Sequence, residues 1–130
     1  MHKRNTRKSR GFTLVEIMIV VLIIGILLAI AVPNFVKARQ NSRLQTVIGN
    51  LKQLESAKQQ WAMDKGKVSG DTPVEADLAP TYMQKWPSGP VGAKTDYAAG
   101  TVSGEATFKS KTITDFQAAD PAAAITAAGL

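Results

Sequence analysis

A single acid inside a membrane-length apolar run limits what this chain can become more than any other feature. From Ile17 to Val32 no side chain is charged or strongly polar, and with Phe12–Glu16 the run reaches 21 residues. As a helix that is about 31 Å, against a bilayer hydrocarbon core of about 30 Å. The segment reads as a membrane span. Glu16 stands near one end of it. A charge at the centre of a spanning helix costs about 2.5–3.5 kcal/mol by insertion scales. Near the end the cost is smaller but still unfavourable, so something must compensate it.

Lys3, Arg4, Arg7, Lys8 and Arg10 precede the run with no acid among them, and Lys37, Arg39 and Arg43 follow it. The denser N-terminal cluster predicts a cytoplasmic leader and a translocated remainder. The formal net charge of +6 is therefore mostly a leader property. The other 11 of the 16 Lys/Arg face 10 Asp/Glu. That near-balance argues against nucleic acid as a partner and for a topological role of the basic residues.

Three readings of the segment compete. It is a secretory signal with a small-x-small cleavage site at Ala29–Ala31, a plain signal anchor, or a segment processed at the border Gly11–Phe12. Only the third gives Glu16 a use. A local account also exists: Thr13-Leu14-Val15-Glu16 fits the T-x-x-E capping box, and an acid suits the positive end of the helix dipole.

The stretch GFTLVEIMIVVLIIGILLAIAVPNF, behind its basic leader, closely resembles the N-terminus of type IV pilins and of the pseudopilins of type II secretion systems. The resemblance implies cleavage between Gly11 and Phe12 by a prepilin peptidase, with N-methylation of Phe12, leaving 119 of the 130 residues. The new ammonium of Phe12 and the carboxylate of Glu16 would then stand at i and i+4, about 6 Å apart on one helix face. The pair would form within one chain or between neighbours in a filament. By the same resemblance Gly25 and Pro33 are helix breaks, with helicity lost between them when subunits pack. On physical grounds alone Pro33 should kink the helix, whereas Gly25 is ordinary in a membrane helix.

The expected domains are a removable leader, 1–11, a transmembrane and filament-core helix, 12–35, and an amphipathic half-helix with a small sheet domain, 36–130. The amphipathic part follows from Leu44, Val47, Ile48, Leu51, Leu54 and Trp61 at spacings of three and four. One helix is thus expected from about Phe12 to Met63, with Gly49 a weak point of about 1 kcal/mol. The fold class is α+β, pilin-like. A short helix near Pro73 should be capped by Asp71 or Thr72. The runs TVSGEATF and KTITDF read as strands, with Ser103–Gly104 as a hairpin turn. The tail ADPAAAITAAGL reads as one helical turn begun by Asp120-Pro121 or as a loose end. Trp61, Tyr82, Trp86 and Tyr97 are expected in the core.

The spacing Tyr82-Met83-x-x-Trp86-Pro87-x-x-Pro90-x-Gly92 resembles a stretch of major pseudopilins, although the acid and tryptophan usual there are Gly89 and Val91 here. Cysteine is absent and the one histidine is His2. Thiolate catalysis, His-based triads and His metal clusters are thereby excluded from the folded part, and no enzyme, cofactor or metal is expected. Asp115 and Asp120 alone are too sparse for a calcium site. The resemblance implies a non-catalytic filament subunit of the inner membrane. Its partners would be its own copies and related pseudopilins, the peptidase, a platform protein and an assembly ATPase. The small cysteine-free C-terminal part and the Tyr82–Gly92 spacing tilt the reading to a secretion pseudopilin over a surface pilin. A secreted binding module with an ordinary signal peptide is the remaining alternative.

Overall fold

The computed structural model describes residues 11–88 and 93–130. The basic leader upstream of Gly11 and the Gly89–Gly92 end of the aromatic-proline spacing lie outside the described residues. Two compact units divide the chain, Met1–Val36 and Lys37–Leu130. The elements are α1 (Leu14–Lys65), α2 (Glu75–Leu78), β1 (Tyr97–Ala98), β2 (Thr107–Phe108), β3 (Lys111–Thr112), α3 (Ile113–Ala118) and α4 (Pro121–Ala128). This is an α+β fold with one long N-terminal helix and a small antiparallel sheet.

In the first unit the large apolar side chains of α1 between Leu14 and Val36 are all exposed. The helix is continuous through Gly25 and Pro33. The loss of helicity expected between them belongs to packed subunits, and the single chain keeps the helix whole. Proline removes one backbone donor and crowds the preceding turn, yet α1 runs through it without a break.

In the second unit the three/four spacing buries Leu44, Val47, Ile48, Leu51, Leu54, Ala57, Trp61 and Ala62 of α1. Against them pack Leu78, Met83, Trp86, Tyr97, Ala106, Phe108, Phe116, Ala124 and Ala128. Tyr97 and Phe108 face each other across β1 and β2 with ring centroids 4.8 Å apart. The sheet order is β1-β2-β3, antiparallel throughout. Three of the four expected core aromatics are buried. Tyr82 is half-buried, and its hydroxyl donates to Asp64.

Several local expectations shift. The tight turn between strands is Lys109–Ser110, both at positive φ (48° and 63°), joining β2 to β3. Ser103–Gly104 instead closes a turn inside the longer β1–β2 connection, where Gly104 donates to the Thr101 carbonyl at 3.0 Å. Each strand is only two residues long. The ITDF end of the second run is helix α3, because Thr112 and Asp115 form a reciprocal cap. Thr112 N–H donates to Asp115 at 2.9 Å and Asp115 N–H to the Thr112 hydroxyl at 3.1 Å.

Helix α2 begins after Val74, whose N–H donates to Asp77 at 2.9 Å. Asp71, expected as its cap, accepts from the Val68 N–H at 3.0 Å. Its carbonyl accepts from Val102 N–H at 2.9 Å. The tail forms α4, two turns rather than one, ended by Gly129 in the left-handed region at φ 68°.

One core position runs against the pattern. Lys58 lies on the buried row of α1 and is fully buried. Its ammonium pairs with Glu55 at 3.0 Å and donates to the carbonyls of Ala99 (3.0 Å) and Gly104. Glu55 in turn accepts from the Ala106 N–H. The two side chains thus fasten both ends of the β1–β2 connection to the helix. Gly100 at φ 68° lets that connection bend, and an added Cβ there would stand 2.7 Å from the Glu105 carbonyl oxygen.

Candidate functional site

The site indicated by the sequence is the start of α1. Its geometry is set by a capping box: Thr13 N–H donates to Glu16 Oε2 at 2.7 Å, and Glu16 N–H donates to Thr13 Oγ1 at 3.3 Å. Ile17 N–H reaches the Thr13 carbonyl at 3.4 Å. Thr13 is therefore the cap, Leu14 the first helical residue and Glu16 the third. Four backbone donors at a helix start lack partners within the helix. Two of the segment's N–H groups are satisfied here without water, which an apolar surrounding requires.

Phe12 stands just outside the helix and is 86% exposed. It shares a shallow apolar groove with Ile17, Ile19, Val20 and Glu16. Residues before the cap and fourth in the helix often clasp in this way, fixing the angle at which the chain enters. Because Phe12 precedes the helix, the i/i+4 helical pairing with Glu16 is not the arrangement of this uncut chain. The peptide bond to Gly11 is intact, so Phe12 offers an amide rather than an ammonium. The carboxylate takes the Thr13 N–H instead.

Gly11 is exposed, and a Cβ built on it would meet nothing within 4 Å. The same holds for Gly25. Among the described residues nothing stands where a Cβ at either place would go. The helix beyond has an 18-residue window of mean hydropathy 3.2, none of it covered by the rest of the described chain. By length and composition it can cross a membrane.

Lys58 and Glu55 escaped the sequence reading. The signal was available: a lysine at a position where the three/four spacing of Leu51, Leu54 and Trp61 demands an apolar side chain. Among the described residues no cluster of three or more potential metal ligands occurs.

The family described as the prokaryotic N-terminal methylation motif matches residues 6–32, which include Gly11, Phe12 and Glu16. The type IV major pilin protein PilA of Myxococcus xanthus is 47% identical over 93 residues, covering 72% of this chain and 40% of that protein. The type II secretion system core protein G of Escherichia coli is 39% identical over 61 residues, 47% of this chain and 42% of that protein. The core protein G of Dickeya chrysanthemi is 29% identical over 102 residues, 68% of this chain and 67% of that protein. The chain spans about two fifths of the length of the first two of these relatives. No solved structure matches it. Through residues 6–32 the chain matches the prokaryotic N-terminal methylation motif, and it is similar to a type IV major pilin and to type II secretion system core proteins G.

Proposed function

We propose that the chain is a structural subunit of a pilus-like filament. It is cut between Gly11 and Phe12, methylated on the new amine and held in the inner membrane by the helix that follows. Its N-terminus lies on the cytoplasmic side before assembly, the basic leader supplying the orientation. It catalyses nothing. A prepilin peptidase, a polytopic platform protein and a cytoplasmic ATPase act on it, and its own copies and related pseudopilins stack with it.

The observation that carries this reading is Glu16. Before cleavage its carboxylate is occupied by the helix cap. Cleavage places an ammonium in the same apolar surroundings, a buried charge that needs an anion. Removing one partner of a buried pair costs about 3–5 kcal/mol, so the amine of one chain has reason to find the carboxylate of its own or a neighbouring chain. Glu16→Ala should be processed normally and assemble poorly. Intact-mass and N-terminal peptide analysis of protein from host membranes checks the first half. A chain starting at Phe12 and one methyl group heavier is expected; one starting at Val32 would mean an ordinary signal peptide. Sedimentation of sheared filaments checks the second half, and a normal filament yield from Glu16→Ala would sink the pairing.

Two filaments fit. Core protein G relatives and the cysteine-free C-terminal unit support a type II secretion pseudopilin. A specific observation favours the surface pilin: the Myxococcus protein is 47% identical over 93 residues, against 29% over 102 for the Dickeya core protein G. Deleting the gene in the host separates them. Loss of protein export with surface fibres retained supports the first, and the reverse supports the second.

A further inference from the structure

The residues just beyond the apolar run carry charge that no acid among the described residues answers. No charged side chain stands between Glu16 and Lys37, and no acid between Glu16 and Glu55. Into that interval fall Lys37, Arg39 and Arg43, followed by Lys52. Lys37 and Arg39 are exposed and Arg43 is half-buried. Among the described residues the three ion pairs are Lys58–Glu55, Lys65–Asp64 and Lys94–Glu75, so none of these cations takes an acid partner. Asp120 borders the same concavity as Lys37, yet the two form no ion pair.

Position makes the cluster specific. The uncharged residues 17–36 make about 30 Å of helix, the depth of a hydrocarbon core, and the headgroup layer adds about 5–7 Å on each side. By helical rise Lys37 and Arg39 fall within about 5 Å of the end of the uncharged stretch. Arg43 is about 10 Å beyond, where a long side chain can lean back towards the interface. Cations on the translocated side also oppose the charge bias that sets topology, so three of them without an acid form a positive cluster that suits an anion from outside the chain.

We infer that Lys37, Arg39 and Arg43 bind the phosphates of anionic phospholipids in the outer leaflet of the membrane that the helix spans. Guanidinium groups suit phosphate oxygens through paired N–H donors. Each cation near an anionic surface contributes about a fivefold preference. The inference rests on the spanning part of the function proposed above and is independent of filament formation. Its consequence is that the subunit enters the bilayer with a lipid partner, which it must exchange for another anion on leaving.

The test uses the full chain in phosphatidylcholine vesicles with spin-labelled phosphatidylglycerol or phosphatidylcholine as the probe. Electron paramagnetic resonance reads the fraction of each lipid held at the protein. The wild-type chain should favour phosphatidylglycerol, and K37Q/R39Q/R43Q should lower that preference at least about fivefold. The leader cations are identical in both chains, so the difference reports the triad alone. In 1 M salt, where screening acts over about 3 Å, the wild-type preference should fall towards the variant's.

Equal preference in the two chains would overturn the proposal. So would unchanged preference with loss of self-association in the variant, which would assign the triad to an acidic face of a second copy. Alkali extraction of the vesicles reads insertion separately. A chain that fails to insert overturns the spanning reading, and this proposal with it. Should the triple variant lose the tryptophan fluorescence of the folded second unit, R39Q, at an exposed residue, carries the test with an expected drop of about fivefold.

Discussion

Lys58 shows how much of the second unit depends on one side chain. A fully buried ammonium is tolerated only when its charge and its donors are all answered. Here Glu55 answers the charge, and the Ala99 and Gly104 carbonyls take the remaining donors. The return is placement: a connection with no secondary structure of its own is fixed to the helix at both ends. Lys58→Met keeps the volume and removes the charge. It leaves Glu55 partly buried without a cation and two inward carbonyls without a donor, so a loss of about 3–5 kcal/mol is expected. Adding Glu55→Gln should return about 1–2 kcal/mol, because the stranded charge is gone while an oxygen still accepts from Ala106 N–H. Urea unfolding followed by Trp61 and Trp86 fluorescence measures both. A Lys58→Met chain as stable as the wild type would mean that apolar packing alone holds the connection. The capping chemistry at Thr13–Glu16 was legible because the T-x-x-E pattern precedes a long apolar run. The related T-x-x-D pattern at Thr112–Asp115 was not legible because the helix it opens is only six residues long.

At the scale of elements, α1 sets the terms. Its apolar half has no partner within the described chain, and its amphipathic half supplies one wall of a small core. Both halves were readable, the first from its length and the second from its spacing. Gly25 is the weak place in the first half, costing a helix interior about 1 kcal/mol relative to alanine. Since a Cβ there meets nothing within 4 Å, Gly25→Ala should raise the helicity and thermal stability of the single chain in detergent. If glycine serves subunits that must loosen or approach closely, the same variant should yield at least several-fold fewer sedimentable filaments. Circular dichroism and sedimentation together decide the matter. A variant that is more helical and assembles normally would leave Gly25 without an assembly role. The sheet was far less legible. Strands of two residues carry no readable alternation, and the turn Lys109–Ser110 lacks the glycine or asparagine that marks a left-handed pair. Its position is held from outside instead: Lys109 Nζ donates to the Ala128 carbonyl at 3.3 Å, at the C-terminal end of α4 where a cation suits the dipole.

For the whole molecule, four described groups of the second unit give it a stability that pH can move. Glu105 is held below its ordinary value of 4.5, first by the Thr114 hydroxyl and then by the Thr114 N–H. Asp115 is held below 3.8 by the Thr112 N–H and then its hydroxyl. A carboxyl whose folded value is depressed stabilises the fold fully above its ordinary value, and that stabilisation is lost as pH falls through the folded value. Tyr82 and Tyr97 are raised above 10.0, the first chiefly by its bond to Asp64 and the second chiefly by burial. A phenol that holds its proton more tightly when folded contributes fully below 10.0 and loses that contribution as pH rises through its folded value. These four groups therefore predict a stability plateau from about pH 5 to pH 9, with an acid limb and an alkaline limb. The acid limb is the sharper test, because Glu105 reaches from the β1–β2 connection to α3 and joins parts that no other described carboxylate bridges. Glu105→Gln retains an oxygen for Thr114 but does not titrate. Its melting temperature should sit modestly below the wild type at pH 7 and converge with it as the pH drops from 4.5 through the lower value of the folded carboxyl, below which the wild-type group is protonated in both states. Melting curves of the full chain in detergent, taken across pH 3–8, read this directly. A constant gap between the two chains across that range would mean that Glu105 acts through its shape and not its charge.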